Sequence, residues 1–195
     1  MSTRELLQAV QPAAAPRSKV PALIPAVADS REQRPYQLNP EVFDVTVAAL
    51  PAGDYSLRGF ETRVAIERKS VQDFVGSITG GRDRFLRELE KLRRYEFAAI
   101  VVEGSIEDLR LQRYRSLATP VSVLGTTWAL IERYVPIVFA GGRVAAQVAT
   151  EGLLARWWKD ERKRIELADA GFLEKLHAAA AKSTDIEPGT EEASP

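Results

Sequence analysis

The chain has 195 residues, with no cysteine, one histidine and one methionine. No apolar run approaches the roughly 18 residues of a membrane span. Each absence excludes something. Without cysteine there are no disulfides, thiolate nucleophiles or cysteine-ligated zinc. A single imidazole, His177, rules out a histidine-rich zinc centre and leaves almost no room for a Ser-His-Asp triad. Hydrolytic chemistry would then fall to carboxylates, lysine and a hard metal ion. What is present is ordinary for a globular protein: 45% hydrophobic and 28% charged residues, enough for a core, in a length suited to one domain with appendages.

Charge is balanced overall, 27 basic against 27 acidic residues, but unevenly placed. Residues 58–94 hold ten Lys/Arg against six Asp/Glu, whereas residues 183–195 hold four acids and no base. Without that tail the remainder is +4. A local basic patch of this kind can hold a phosphate backbone, and it can equally be a solvated helix face.

Four prolines among alanines over residues 11–25 mark an extended lead-in, with the first strand expected at Pro25–Ser30. Phe43–Ala49, Asp54–Leu57 and Arg63–Lys69 read as three strands of an antiparallel meander, with a turn at Leu50–Gly53. Arg82–Tyr95 has the spacing of a helix that buries Phe85, Leu89 and Leu92. Phe97–Val102 is an apolar run suited to a strand buried on both faces. Thr119-Pro120 opens a helix to about Tyr134, a short strand follows at Pro136–Ala140, and a long helix runs from Arg143 to about Ala170, ending at Gly171. A further short helix is expected over Phe172–Lys182. The predicted divisions are therefore a Pro/Ala-rich lead-in (1–24), a core domain (25–149), a helical extension (150–182) and a disordered acidic tail (183–195). Strands first together and then alternating with helices imply an α/β fold, a mixed central sheet flanked by helices.

Chemistry concentrates in Val64-Ala65-Ile66-Glu67-Arg68-Lys69. Strand alternation puts Glu67 and Lys69 on one face, about 7 Å apart, and Arg68 on the other. Asp54 opens the strand expected to pair with this one. Two carboxylates from adjacent strands with a lysine alongside can hold Mg²⁺ and a water nucleophile. The same residues can also form a surface salt-bridge ladder. Adjacent Trp157 and Trp158 read as one core residue and one rim or contact residue. His177 reads as an exposed helix residue without a role. Ser77–Arg82 lacks the G-K-[ST] ending of a phosphate-binding loop, so no nucleotide cofactor is expected.

Taken in order, Val27-Ala28-Asp29-Ser30-Arg31-Glu32, Gly53-Asp54-Tyr55 and Glu67-Arg68-Lys69-Ser70-Val71-Gln72-Asp73 resemble the D-x-R-E and GD…ERKxxxD signature of the XPF-type structure-specific endonucleases. The similarity extends from about Pro25 to Ala149. It implies a restriction-endonuclease-like fold that hydrolyses DNA phosphodiesters with Mg²⁺ or Mn²⁺, at branched, flap or fork structures. By motif, Asp54 and Glu67 would be the central metal ligands, with the Arg68 carbonyl as a third. Asp29 and Glu32 would bind a second ion or shape the site, and Lys69 would be the catalytic lysine. Arg31 and Arg68 would contact phosphate or brace the carboxylates. Asp73 would open the next helix, either in the catalytic set or as a structural residue, while Arg82 and Arg84 would touch the DNA backbone. The family pattern further implies a homodimer, with Trp128, Ile131 and Tyr134 on the contact helix. The tandem helix-hairpin-helix module of larger members has no counterpart in this sequence. The expectation is thus a compact, cytoplasmic, bacterial or phage-type nuclease of DNA repair, recombination or phage replication, with no membrane association. The competing readings are a catalytically silent DNA-binding or dimerisation scaffold, and a nuclease acting on linear duplex.

Overall fold

The computed structural model describes residues 23–184. The lead-in up to residue 22, the acidic tail from residue 185 and the side chain of His177 lie outside what is described. Six strands form one sheet: β1 (Ile24–Asp29), β2 (Phe43–Ala48), β3 (Tyr55–Leu57), β4 (Val64–Ser70), β5 (Phe97–Glu103) and β6 (Ile137–Phe139). Their spatial order is β2-β1-β3-β4-β5-β6. β1 pairs parallel with β2, β3 is antiparallel to both β1 and β4, and β4, β5 and β6 run parallel. The expected meander is therefore corrected at its first member. β1 inserts between β2 and β3, so β2 becomes an edge strand instead of pairing with its successor. A tight turn alone does not force neighbours in sequence to pair.

Four helices lie on one face of the sheet: α1 (Val71–Ile78), α2 (Arg82–Leu92), α3 (Ile106–Arg110) and α4 (Pro120–Arg133). α1 starts directly from β4. Ser70 caps it by accepting the Asp73 amide at 3.1 Å, and Phe74, Val75 and Ile78 are buried beneath. α2 buries the predicted Phe85, Leu89 and Leu92, and α4 is capped by Thr119 with Pro120 in its first turn. This layer and the odd side of β4 share one core cluster, which includes Ala65, Phe74, Leu89, Ile100 and Leu130.

The opposite face is covered by α5 (Arg143–Thr184), which packs Ala146 and Leu154 against Tyr55, Leu57, Ile66 and Val101. Gly141, at φ +84°, breaks the chain just before it. The expected stop at Gly171 does not occur, and α5 is one helix of 42 residues. Glycine inside a helix costs about 1 kcal/mol, which is too little to end it where no left-handed cap forms. The helix also runs unbroken through position 150. Its first half is thus a layer of the domain, and residues 162–174 of it are almost all exposed. Among the described residues no helix is long and apolar enough to cross a membrane.

Candidate active site

The site is built at the C-terminal end of β4, where β3 and β4 lie side by side. Gly53 makes this possible. Its φ is +75°, and a Cβ there would come within 3.1 Å of the Ala65 Cβ and of the Ile66 carbonyl oxygen. Asp54 is thereby brought against β4: its amide donates to the Ile66 carbonyl at 2.8 Å, and its Oδ2 accepts the Arg68 amide at 2.7 Å. Alternation along β4 then does what the sequence requires. Glu67 and Lys69 emerge on the same side, with Lys69 Nζ 3.0 Å from Glu67 Oε1 and 5.2 Å above the Phe85 ring. Both are largely enclosed, their side chains 19% and 12% exposed.

This group is short of positive charge. Burial, and next the neighbouring Glu67 charge, push the Asp54 carboxyl up to about 7, with Glu32 adding to the effect. The Arg68 amide and Lys69 act in the opposite sense and do not prevail. A carboxyl raised this far in a cleft, by desolvation and a specific like charge, is the pattern of functional sites.

The remaining predicted residues divide into those that face this centre and those that brace it. Asp29 is 3% exposed. Its carboxylate is gripped by Arg31 through Nε at 2.8 Å and NH2 at 2.7 Å, and by the amides of Arg31 and Leu50. Arg31 pulls its pKa down to about 2. Glu32 accepts the Arg34 amide at 2.6 Å and lies 3.4 Å from Arg68. Asp29 and Glu32 line the same cleft as Asp54 and Glu67, each of the two held to an arginine. Among the described residues no three acidic side chains converge as a ready metal site.

Arg68 is likewise turned to the other face of β4 and held there. Its Nε and NH2 each lie 2.8 Å from the two oxygens of Glu103, and its guanidinium sits over Tyr36. Burial works against its charge, but Glu103 outweighs this and its pKa rises. Its part at the centre is the amide donated to Asp54. Asp73, in the first turn of α1, both lines the cleft and accepts the hydroxyl of the capping Ser70 at 2.7 Å.

The cleft itself has a volume of about 630 Å³. Arg31 and Arg84 stand on its rim with Arg34 and Lys91, two cations that sequence reasoning missed. Arg82 is exposed but is not among the cleft residues. Lys91 was legible as the residue two turns on from Arg84. Glu103, the partner of Arg68, had no local signal because its pairing is across the sheet. Trp157 and Trp158 both pack edge-on against Phe60, at 5.2 and 5.9 Å, far along α5 from the cleft, and neither is a core residue opposite a rim residue. Trp128 is 52% exposed on α4.

Can these residues hold the divalent ion that the sequence suggests? Asp54 and Glu67 each keep an oxygen that accepts no hydrogen bond from the described residues. Magnesium takes one or two carboxylates and completes its shell with water. The donor set fits one such ion at Asp54 and Glu67.

The family model for the ERCC4 domain matches residues 28–151. XPF from Aeropyrum pernix superposes with a TM-score of 0.52 at 26% identity, covering 68% of this chain and 60% of that one. The same archaeal XPF in complex with DNA gives 0.53 at 25% identity, covering 71% and 66%. A Methanocaldococcus jannaschii protein named as an ATP-dependent RNA helicase is 33% identical over 81 residues, which is 42% of this chain and 10% of that protein. The chain thus spans a tenth of that relative and less than two thirds of either XPF chain. By its matched span, its sheet and its GD…ERK strand pair, this chain belongs to the ERCC4 domain family.

Proposed function

We propose that this chain is a DNA endonuclease of the XPF type, dependent on Mg²⁺ or Mn²⁺ and directed to branched, flap or fork DNA. The observation that carries the reading is the convergence of Asp54, Glu67 and Lys69 in one cationic-rimmed cleft. The A. pernix XPF solved in complex with DNA supports a nucleic-acid substrate. Asp54 and Glu67 would hold the ion, which when bound neutralises charge on the scissile phosphate and acidifies water. Lys69, fixed between Glu67 and Phe85, places an ammonium beside the position of the attacked phosphate. Arg31, Arg34, Arg84 and Lys91 grip the flanking backbone. Asp29 and Glu32 shape the site by anchoring Arg31 and Arg68.

The functional unit is a homodimer in this reading. Of the residues expected on the contact helix, Tyr134 packs against the core, while Trp128 is 52% exposed on α4 together with Val121 at 82%, an apolar face suited to a second copy.

One preparation, assayed on labelled flap, fork and linear duplex with Mg²⁺ or with EDTA, tests the reading. Cleavage of flap and fork in Mg²⁺ is expected, with slower cutting of linear duplex and none in EDTA. Equal cutting of all three would replace the branched substrate by plain duplex. DNA binding without cutting in any metal would make the domain a scaffold.

A further inference from the structure

Residues 34–39, between the D-x-R-E element and β2, belong to no helix or strand. The backbone of this segment is nevertheless held, and the partners are side chains of α5 spaced one turn apart. Arg143 donates through NH2 to the carbonyls of Arg34 at 2.7 Å and Pro35 at 3.0 Å. Gln147 donates to the Gln37 carbonyl at 2.6 Å. Glu151 accepts the Asn39 amide at 2.9 Å, and Gln147 also donates to Glu151 at 3.0 Å, joining the rungs. Positions i, i+4 and i+8 of a helix share one face. Here that face supplies, rung by rung, the donors and acceptors that a neighbouring strand would otherwise supply.

The top rung is also linked to Arg68 of β4 through Glu103 of β5. Arg143 NH1 lies 2.8 Å from Glu103 Oε1, the same oxygen that accepts from Arg68 Nε. The Tyr36 ring has the Arg143 and Arg68 guanidinium carbons 4.9 and 5.8 Å from its centroid. A second pin enters from the sheet, where the Tyr36 amide donates to the Tyr55 hydroxyl at 2.5 Å.

We propose that Arg143, Gln147 and Glu151 are positioning residues, a ladder on α5 that holds the 34–39 segment so that Arg34 stands at the cleft. The proposal rests on the DNA-cleaving reading for its consequence, and on geometry alone for the ladder itself. It makes α5 part of the substrate-binding apparatus although none of the three residues faces the cleft centre. Arginine is required at the top rung because one planar fork must serve a carboxylate and two carbonyls together, which a lysine ammonium does not reproduce.

The test compares wild type with Arg143→Lys/Gln147→Leu, with Arg34→Ala, and with the two combined. The first readout needs neither metal nor DNA: the rate of limited chymotrypsin cleavage after Tyr36, which is buried in the held segment, with the thermal melt as control. The ladder variant should be cut at Tyr36 about tenfold faster while still melting cooperatively, because only this segment is released. The second readout is affinity for a labelled fork in EDTA. The ladder pair and Arg34→Ala should each weaken binding by about fivefold, and their combination by no more than either, since both remove the same placed cation.

Tyr36 protected as in wild type overturns the ladder. Additive losses of affinity overturn its role in placing Arg34. If the ladder variant does not fold, Gln147→Leu alone is read in the same two assays, with a smaller effect expected in the same direction. Wild-type protein that binds no fork defeats the DNA reading, while the chymotrypsin result still decides the ladder.

Discussion

At its N-terminal end β4 is preceded by Arg63, which meets Glu96 at 2.5 Å and Glu161 at 2.7 Å; at its C-terminal end it presents Glu67 and Lys69, with Asp54 brought alongside from the residue before β3. Both ends gather charges from distant parts of the chain, and they are resolved differently. Around Arg63 the ledger of sign is closed. Arg164 joins the same two acids, the guanidinium lies over Phe60 and Trp157, and Glu96 is drawn down to about 2 by its bonds to Arg63. Around Asp54 it is left open. Burial and Glu67 raise the carboxyl, and Lys69 is too little to offset them. The difference separates a charge-matched clamp that docks α5, in which the buried Glu161 Oε2 still accepts no hydrogen bond, from a cluster in which acids outnumber the cation. Charged clusters are thus told apart by their balance of sign, and residue types alone do not distinguish them.

The comparison breaks most sharply under substitution of the open end. Asp54→Ala, Glu67→Ala or Lys69→Ala should each reduce cleavage of a flap by about 10³-fold or more. Thermal stability should be unchanged or higher in the two acid variants, because a like-charge repulsion is removed. Single-turnover rates beside thermal melts measure both, and a fall in melting temperature with retained cleavage would reverse the assignment of the two ends.

The closed end should behave in the opposite way. Arg63→Ala leaves Glu161, whose side chain is 6% exposed, with Arg164 alone. The expected cost is about 2–3 kcal/mol of folding stability, read by urea denaturation, with the cleavage rate per folded molecule retained. Tryptophan fluorescence should report the loss directly, since Trp157 stacks on the removed guanidinium.

A smaller effect, of opposite sign at the two ends, comes from pH. The Glu96 carboxyl is lowered from 4.5 to about 2, so its contribution is present above about pH 4.5 and is lost as pH falls toward 2. The Asp54 carboxyl is raised from 3.8 to about 7. The metal-free fold therefore holds a proton that the unfolded chain has released between those values, and that contribution is lost as pH rises through 7. Melts of metal-free protein from pH 4 to 8 should show a declining component in wild type, absent in Asp54→Asn. A component that persists in Asp54→Asn would place the titration elsewhere.

Much of this was legible in the sequence because it is local. The E-x-K alternation fixes which side chains share a face, the Gly53-Asp54 step marks a close strand approach, and the period of Phe85, Leu89 and Leu92 gives α2. What sequence did not carry is tertiary. The fate of Arg68 depends on Glu103, 35 residues away and one strand across. The place of β2 depends on β1 inserting beside it. The burial of Glu161 in a charged helix depends on Arg63, 98 residues earlier. Gly171 misled because a residue that often ends helices was read without the left-handed geometry that ends them.

The central claim is that Asp54 and Glu67 together draw in a divalent cation, and titration of Mn²⁺ into DNA-free protein, followed by electron paramagnetic resonance, addresses it most directly. Wild type should bind Mn²⁺ at a site that Mg²⁺ displaces, and Asp54→Asn/Glu67→Gln should lose that site while folding normally. Undiminished Mn²⁺ binding in the folded double variant would contradict the account.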